Sequence, residues 1–192
     1  MQSVIEPQVH IWTRHEYYRM AEAGLFQDKH VELIEGRVIE MSPMGSLHAT
    51  AVSLAARTLE GAFGSGYFVR SQMPLDAGEF SEPEPDIAVI KGNIRDFKNE
   101  HPKTAVLIVE AAESSLIYDR TEKARLYAKL GILEYWILGL RERRLEIRRA
   151  PQESATSPSG FDYGDIRILS EDEYVSPLAK PSVKIPVIDL LP

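Results

Sequence analysis

At 192 residues, with 44% hydrophobic residues, 12 glycines and 12 prolines, the chain has the size and composition of one globular domain able to bury a sizeable core. The absence of cysteine excludes disulfides, thiolate metal sites and cysteine nucleophiles, so any metal must use oxygen or imidazole ligands. A net charge of -7 argues against a general nucleic-acid coat, since lysine and arginine supply most non-specific affinity for phosphate; it leaves room for a nuclease whose cation offsets its own carboxylates.

Residues 1–192 are expected to form a single domain, with a core over about 31–150 and a peripheral loop and strands over about 151–192. Met1 to Trp12 has neither a basic leading stretch nor an apolar core, so no secretory signal is expected. No stretch approaches the roughly 18 uninterrupted apolar residues of a spanning helix. The expected protein is soluble and cytoplasmic.

Thr13 and Glu16 have capping-box spacing ahead of Tyr17, Tyr18, Met20 and Ala21, and Gly24 sits where a short helix would stop. Val31-Glu32-Leu33-Ile34 and Val38-Ile39-Glu40-Met41 flank Glu35-Gly36-Arg37, which predicts a hairpin with Glu32 in its first strand. From Ser46 to Phe63, Leu47, Val52, Leu54, Ala55, Leu59 and Phe63 fall at helical spacing before Gly64 and Gly66.

Tyr67 to Met73 alternates as a strand, and Ile87 to Ile90 and Ala105 to Val109 are short β-branched runs of the kind buried in a central sheet. Asp86 and Glu110 border these two runs. A second helix is predicted over Asp119 to Leu130, with Asp119 as its N-cap and Gly131 as its stop. Glu134 to Leu140 and Arg144 to Arg149 read as a further hairpin. Pro151 to Gly160 reads as a mobile loop, and Tyr163 to Leu169 and Val183 to Val187 as late strands.

Phosphodiester hydrolysis needs a nucleophilic hydroxide, neutralisation of charge developing on the phosphoryl group, and help for the leaving oxygen; a divalent metal can supply all three. Mg2+ or Mn2+ takes oxygen from one or two carboxylates together with water and substrate phosphate. Glu84-Pro85-Asp86-Ile87 places an Asp at the mouth of an apolar strand, and Leu107-Ile108-Val109-Glu110 places a Glu at the end of another. A charge abutting an apolar strand calls for a partner, and a metal is one candidate.

Pro85-Asp86 followed by Glu110 resembles the PD-(D/E)XK nuclease pattern, except that Ala112 stands where the pattern has its lysine. Further motifs extend the likeness: Glu32-Leu33-Ile34-Glu35-Gly36, Met41-Ser42-Pro43, His48, Val109-Glu110, Tyr118-Asp119-Arg120 with Lys123, Tyr127-Ala128, and Gly131 with Glu134-Tyr135-Trp136. Together they resemble a large bacterial family of restriction-endonuclease-like proteins, over about Glu32 to Leu138. The resemblance implies an α/β (α+β) restriction-endonuclease-like fold, a mixed central sheet flanked by helices, and metal-dependent nuclease chemistry. It also implies that the lysine is displaced onto the following helix, as Lys123, and that Glu32 is an additional acidic residue of the site. Where the family more often has Val-Ser, this chain has Ala111-Ala112, which removes a hydroxyl.

Each residue also has a plainer reading. Asp86 alone is a turn residue before a strand, Glu110 a strand-end charge, Glu32 a solvent-facing strand residue, and Lys123 an i, i+4 partner of Asp119. His48, near the start of the long helix, could contact phosphate, relay a proton or ligate metal, or lie on the helix surface. Gln72 could hydrogen-bond a metal-bound water or be an ordinary strand amide. Tyr127, Tyr135 and Trp136 read as core packing. Arg141, Arg143, Arg144, Arg148 and Arg149 read as a solvated hairpin face rather than a phosphate track.

The leading expectation is a Mg2+- or Mn2+-dependent endonuclease acting on DNA, with metal on Asp86 and Glu110, Lys123 orienting water, Glu32 assisting, and His48 and Gln72 in a second tier. The alternatives are a catalytically inactive domain that binds nucleic acid or a protein partner, and the same metal site acting on RNA or on a DNA repair intermediate. A homodimer is the expected assembly, because duplex cleavage needs two cuts.

Overall fold

The computed structural model describes residues 8–192, so the first part of the Met1 to Trp12 reading lies outside the described residues. The described residues fall into two compact units: residues 8–43 together with Asp76–Pro83, and Met44–Leu75 together with Glu84–Pro192. Among the described residues no helix is long and apolar enough to cross a membrane.

In the first unit, helix α1 (Arg14–Glu22) begins as its sequence predicts. Glu16 N–H donates to the Thr13 hydroxyl at 3.2 Å while Thr13 N–H donates to the Glu16 carboxylate at 2.8 Å. This reciprocal pair satisfies two of the donors that every helix start leaves open. Strands β1 (Val31–Ile34) and β2 (Arg37–Glu40) form the expected antiparallel hairpin, with Ile34 opposite Arg37. Its turn places Glu35 and Gly36 at φ 47 and 73, and a Cβ on Gly36 would collide with the Ile11 side chain, so glycine is required there. Tyr17, Val31 and Leu33 form a small core against Trp12, Met20, Phe26 and Val38.

The second unit holds a six-stranded sheet in the order β3-β4-β5-β6-β7-β8. Its strands are β3 (Tyr67–Ser71), β4 (Ile87–Lys91), β5 (Leu107–Ala112), β6 (Glu134–Gly139), β7 (Arg144–Glu153) and β8 (Phe161–Ser170). All neighbours are antiparallel except β5 and β6, which are parallel and joined through a helix, as a parallel pair requires. Side chains alternate between two apolar layers. Ile87, Val89, Leu107, Val109, Trp136 and Leu138 face helix α2 (Ser46–Phe63), which contributes Ala51, Val52, Ala55, Leu59 and Phe63. On the other face Ala88, Ile90, Ile108, Tyr135 and Ile137 pack with Ala124, Tyr127 and Ala128. This is the mixed α/β (α+β) architecture expected from the sequence. Short strands β9 (Tyr174–Val175) and β10 (Ile185–Pro186) form a separate pair.

Four local expectations change. The helix predicted from Asp119 starts earlier and is composite: α-helical Leu116–Tyr118, π-helical Asp119–Lys123, then α-helical Ala124–Lys129. Asp119 is therefore inside the helix rather than its N-cap, buried and accepting the Ser115 hydroxyl at 2.6 Å. Strand β5 does not end at Glu110 but continues through Ala111 and Ala112, whose small side chains pair opposite Leu138 and Gly139. The segment read as a mobile loop is partly strand: β7 reaches Glu153, leaving a turn between Glu153 and Phe161.

Candidate active site

The register of the sheet creates the site. Ile87 pairs with Val109 across β4 and β5, so Asp86, one step before β4, lies beside Glu110 on the neighbouring strand. The two strands lock at this point: Asp86 N–H donates to Glu110 Oε2 at 3.1 Å, and Ala111 N–H, next along from Glu110, donates to Asp86 Oδ2 at 2.9 Å. The proline before Asp86 restricts the backbone that leads into this lock.

Each carboxylate then receives groups from a flanking element. From the first turn of α2, His48 Nε2 lies 2.9 Å from Asp86 Oδ1. Gln72 Nε2 donates to the same oxygen at 3.3 Å. Gln72 sits just past β3 in the left-handed region, at φ 51, with its N–H donating to the carbonyls of Pro85 and Asp86. A non-glycine residue there is strained, by about 1 kcal/mol or somewhat more, and that conformation accompanies an amide set against Asp86.

On the other face, Lys123 Nζ donates to Glu110 Oε1 at 3.0 Å, and the Tyr127 hydroxyl donates to the same oxygen at 2.8 Å. Lys123 is only 2% exposed. Its position at the end of the π-helical segment is in keeping with the frequent occurrence of such segments at functional sites. Lys123 and Tyr127, at i and i+4, share one face of the helix.

Charges follow from these contacts. Burial pushes the Asp86 carboxyl up, but the His48 hydrogen bond and charge, the Ala111 N–H and the Lys123 ammonium outweigh it and hold Asp86 below the usual carboxylate range. The same hydrogen bond holds His48 above its ordinary value against the opposing effect of burial, with help from the Asp86 charge, the Ala111 backbone and Glu113. Asp86 is therefore ionised at neutral pH.

Five residues singled out from the sequence thus meet in the second unit: Asp86, Glu110, Lys123, His48 and Gln72. Glu32 lies in the first unit, on β1 opposite Ile39, and is 2% exposed, so it does not face water. Tyr127, read from the sequence as core packing, also supplies a hydrogen bond to Glu110; its i+4 spacing from Lys123 is the signal that points to this. The Ala111 N–H carries no side-chain signal. Among the described residues no three His, Asp or Glu side chains group closely enough to hold a metal by themselves. The donor set is instead a pair of carboxylates, which suits a cation that completes its shell with water and phosphate, as Mg2+ does, and does not suit a three-ligand zinc site.

The arginine cluster is divided. Arg148 is buried with its guanidinium against Glu146 at 2.6 Å, while Arg149 pairs at 2.5 Å with the fully buried Glu134 and donates to the Ser176 carbonyl. Arg143 pairs with Glu171. Arg141 and Arg144 are exposed. The cluster mainly ties strands and the C-terminal segment together, which corrects the reading of a uniformly solvated face.

A family model named Uma2 and described as "Putative restriction endonuclease" matches residues 14–181. Among solved structures, "a putative nuclease belonging to DUF820" from Anabaena variabilis superposes with a TM-score of 0.64, covering 85% of this chain and 90% of that one at 16% identity. No curated protein matches the sequence. The matched span contains every site residue described above, and the chain belongs to the Uma2 family of restriction-endonuclease-like proteins.

Proposed function

We propose that the chain is a Mg2+- or Mn2+-dependent endonuclease that hydrolyses phosphodiester bonds of DNA, with Asp86 and Glu110 as the metal-holding pair. The observation that carries this reading is the convergence of two carboxylates and a buried lysine from three elements, locked by backbone hydrogen bonds. When bound, the cation would supply Lewis-acid stabilisation of phosphoryl charge and a nucleophile at neutral pH. The protein groups orient and hold charge. Lys123, fixed against Glu110, would orient the attacking water and offset negative charge as the phosphoryl group is attacked. His48 and Gln72 would hold the Asp86 carboxylate in one orientation. Tyr127 would do the same for Glu110.

Glu32 enters only through the motif shared with the family, as an additional acidic group. The cytoplasm is the proposed location, since a chain without cysteine loses nothing in a reducing compartment.

One observation favours a second reading, an inactive scaffold that binds nucleic acid or a protein partner. Glu110 already has a buried cationic partner in Lys123, so that carboxylate is charge-compensated without a metal.

Supercoiled plasmid and a structured RNA, incubated with Mg2+, Mn2+ or chelator, separate these readings. The nuclease reading expects metal-dependent nicking of the plasmid that is lost in Asp86→Asn and Lys123→Met. No cleavage under any condition, or equal cleavage by the variants, overturns it; cleavage of RNA alone moves the substrate.

A further inference from the structure

The outer edge of the sheet belongs to β8, ten residues long and, among the described residues, paired only with β7. An open edge presents a row of backbone donors and acceptors, and proteins commonly blunt it with proline, charged side chains (lysine above all) or a very short strand. The sequence of β8, Phe161 to Ser170, contains neither proline nor lysine, and its mid-strand charges, Asp165 and Arg167, are one of each sign. Its middle is exposed instead: Ile166 is 48% exposed and Ile168 52%, on the face opposite Asp165 and Arg167. Two isoleucines on an open, full-length edge suit a strand that has a partner.

The charges say which partner. Asp165 and Arg167 flank Ile166 and meet each other within the chain at 3.2 Å, both accessible to solvent. In an antiparallel pairing of β8 with itself, centred on Ile166, Asp165 of each copy lies opposite Arg167 of the other. Directly opposed residues of antiparallel strands share a face about 4.5 to 5.5 Å apart, so both cross-strand pairs are attractive. Moving the centre one residue either way puts Asp165 opposite Asp165, or Arg167 opposite Arg167. The Ile166-centred register satisfies both charges, sets Ile166 against Ile166, and lays Ile168 over the bare backbone of Gly164.

We propose that the chain forms a two-fold homodimer through antiparallel β8–β8 pairing centred on Ile166, fusing two six-stranded sheets into one. A self-complementary patch is what a two-fold interface requires. The inference is independent of whether the site cleaves DNA.

Sedimentation equilibrium tests it by charge reversal. Wild type should show twice the 21.6 kDa chain mass. Arg167→Asp alone and Asp165→Arg alone should each halve that mass, because each places like charges across the two-fold axis. Mixed in equal amounts, the two variants should return to the dimer mass, because one copy then sets two carboxylates opposite two guanidinium groups of the other. A monomeric wild type overturns the proposal, as does a dimer that both reversals leave intact or a mixture that stays monomeric. Should either variant fail to fold, hydrogen exchange of wild type decides: amides of β8 should lose protection on dilution through the dissociation range, and protection independent of concentration overturns the pairing.

Discussion

Replacing Lys123 by Met removes the charge and keeps most of the length of a side chain that is 2% exposed and 3.0 Å from Glu110. Breaking a buried ion pair by removing one partner typically costs about 3–5 kcal/mol, because the other charge stays buried. Here Glu110 keeps the Tyr127 hydroxyl and the Asp86 N–H as donors, which places the expected loss near the lower end, about 3 kcal/mol. For a chain of this size that corresponds to a fall in melting temperature of roughly 6–12 °C, at 2–4 °C per kcal/mol. Thermal unfolding in chelator gives the loss, and adding Mg2+ reads the site. A cation at 100 times its Kd returns about 2.7 kcal/mol, so the variant should regain most of its lost stability. Glu110→Gln in the Lys123→Met background should recover stability even in chelator, since it removes the stranded charge. A Lys123→Met loss below about 1 kcal/mol, the ordinary worth of an exposed pair, would refute the buried-pair account.

Asp86→Asn should abolish detectable Mn2+ binding in calorimetry while leaving the fold intact; unchanged binding would remove Asp86 from the metal pair. Tyr127→Phe deletes one hydrogen bond to a charged acceptor and should cost about 1.5–3 kcal/mol in urea unfolding, with no change reading as a bond that contributes nothing. Gln72→Gly relieves the left-handed strain at φ 51 and removes the amide from Asp86, so it should weaken metal binding without a large loss of stability; a variant that binds as tightly as wild type would show the amide to be dispensable. The Thr13 backbone N–H, then its hydroxyl, holds the Glu16 carboxyl below its usual value, so the cap's contribution is present above the unfolded-state value and lost as pH falls through the lower, folded-state value. Helix α1 in Glu16→Gln should accordingly be less stable than wild type at neutral pH and equal to it in strong acid, by circular dichroism; a gap that persists in acid would contradict this.

Helix α2 is legible to the residue because alanine-rich sequence with apolar positions at helical spacing ends in glycine, and each signal is local. The hairpin of β1 and β2 is legible for the same reason. Asp86 and Glu110 stand out because each abuts an apolar run, but their adjacency depends on the register of β4 against β5, which the sequence states nowhere. Glu110 reads as the end of a strand because a charge in a buried strand is costly; what permits it is Lys123 and Tyr127 arriving from the helix that follows β5. The π-helical segment has no composition of its own, and Asp119 reads as a cap because capping residues do begin helices. Arg148 and Arg149 mislead for a related reason: the glutamates that hold them, Glu146 and Glu134, are paired by sheet geometry rather than by charge pattern.

If Asp86 and Glu110 share one divalent cation, a crystal grown with Mn2+ and measured at the manganese edge shows it. One anomalous peak is expected within about 2.1 Å of an oxygen from each of the two carboxylates. A map without that peak, with Lys123 still on Glu110 and His48 still on Asp86, would contradict the shared site.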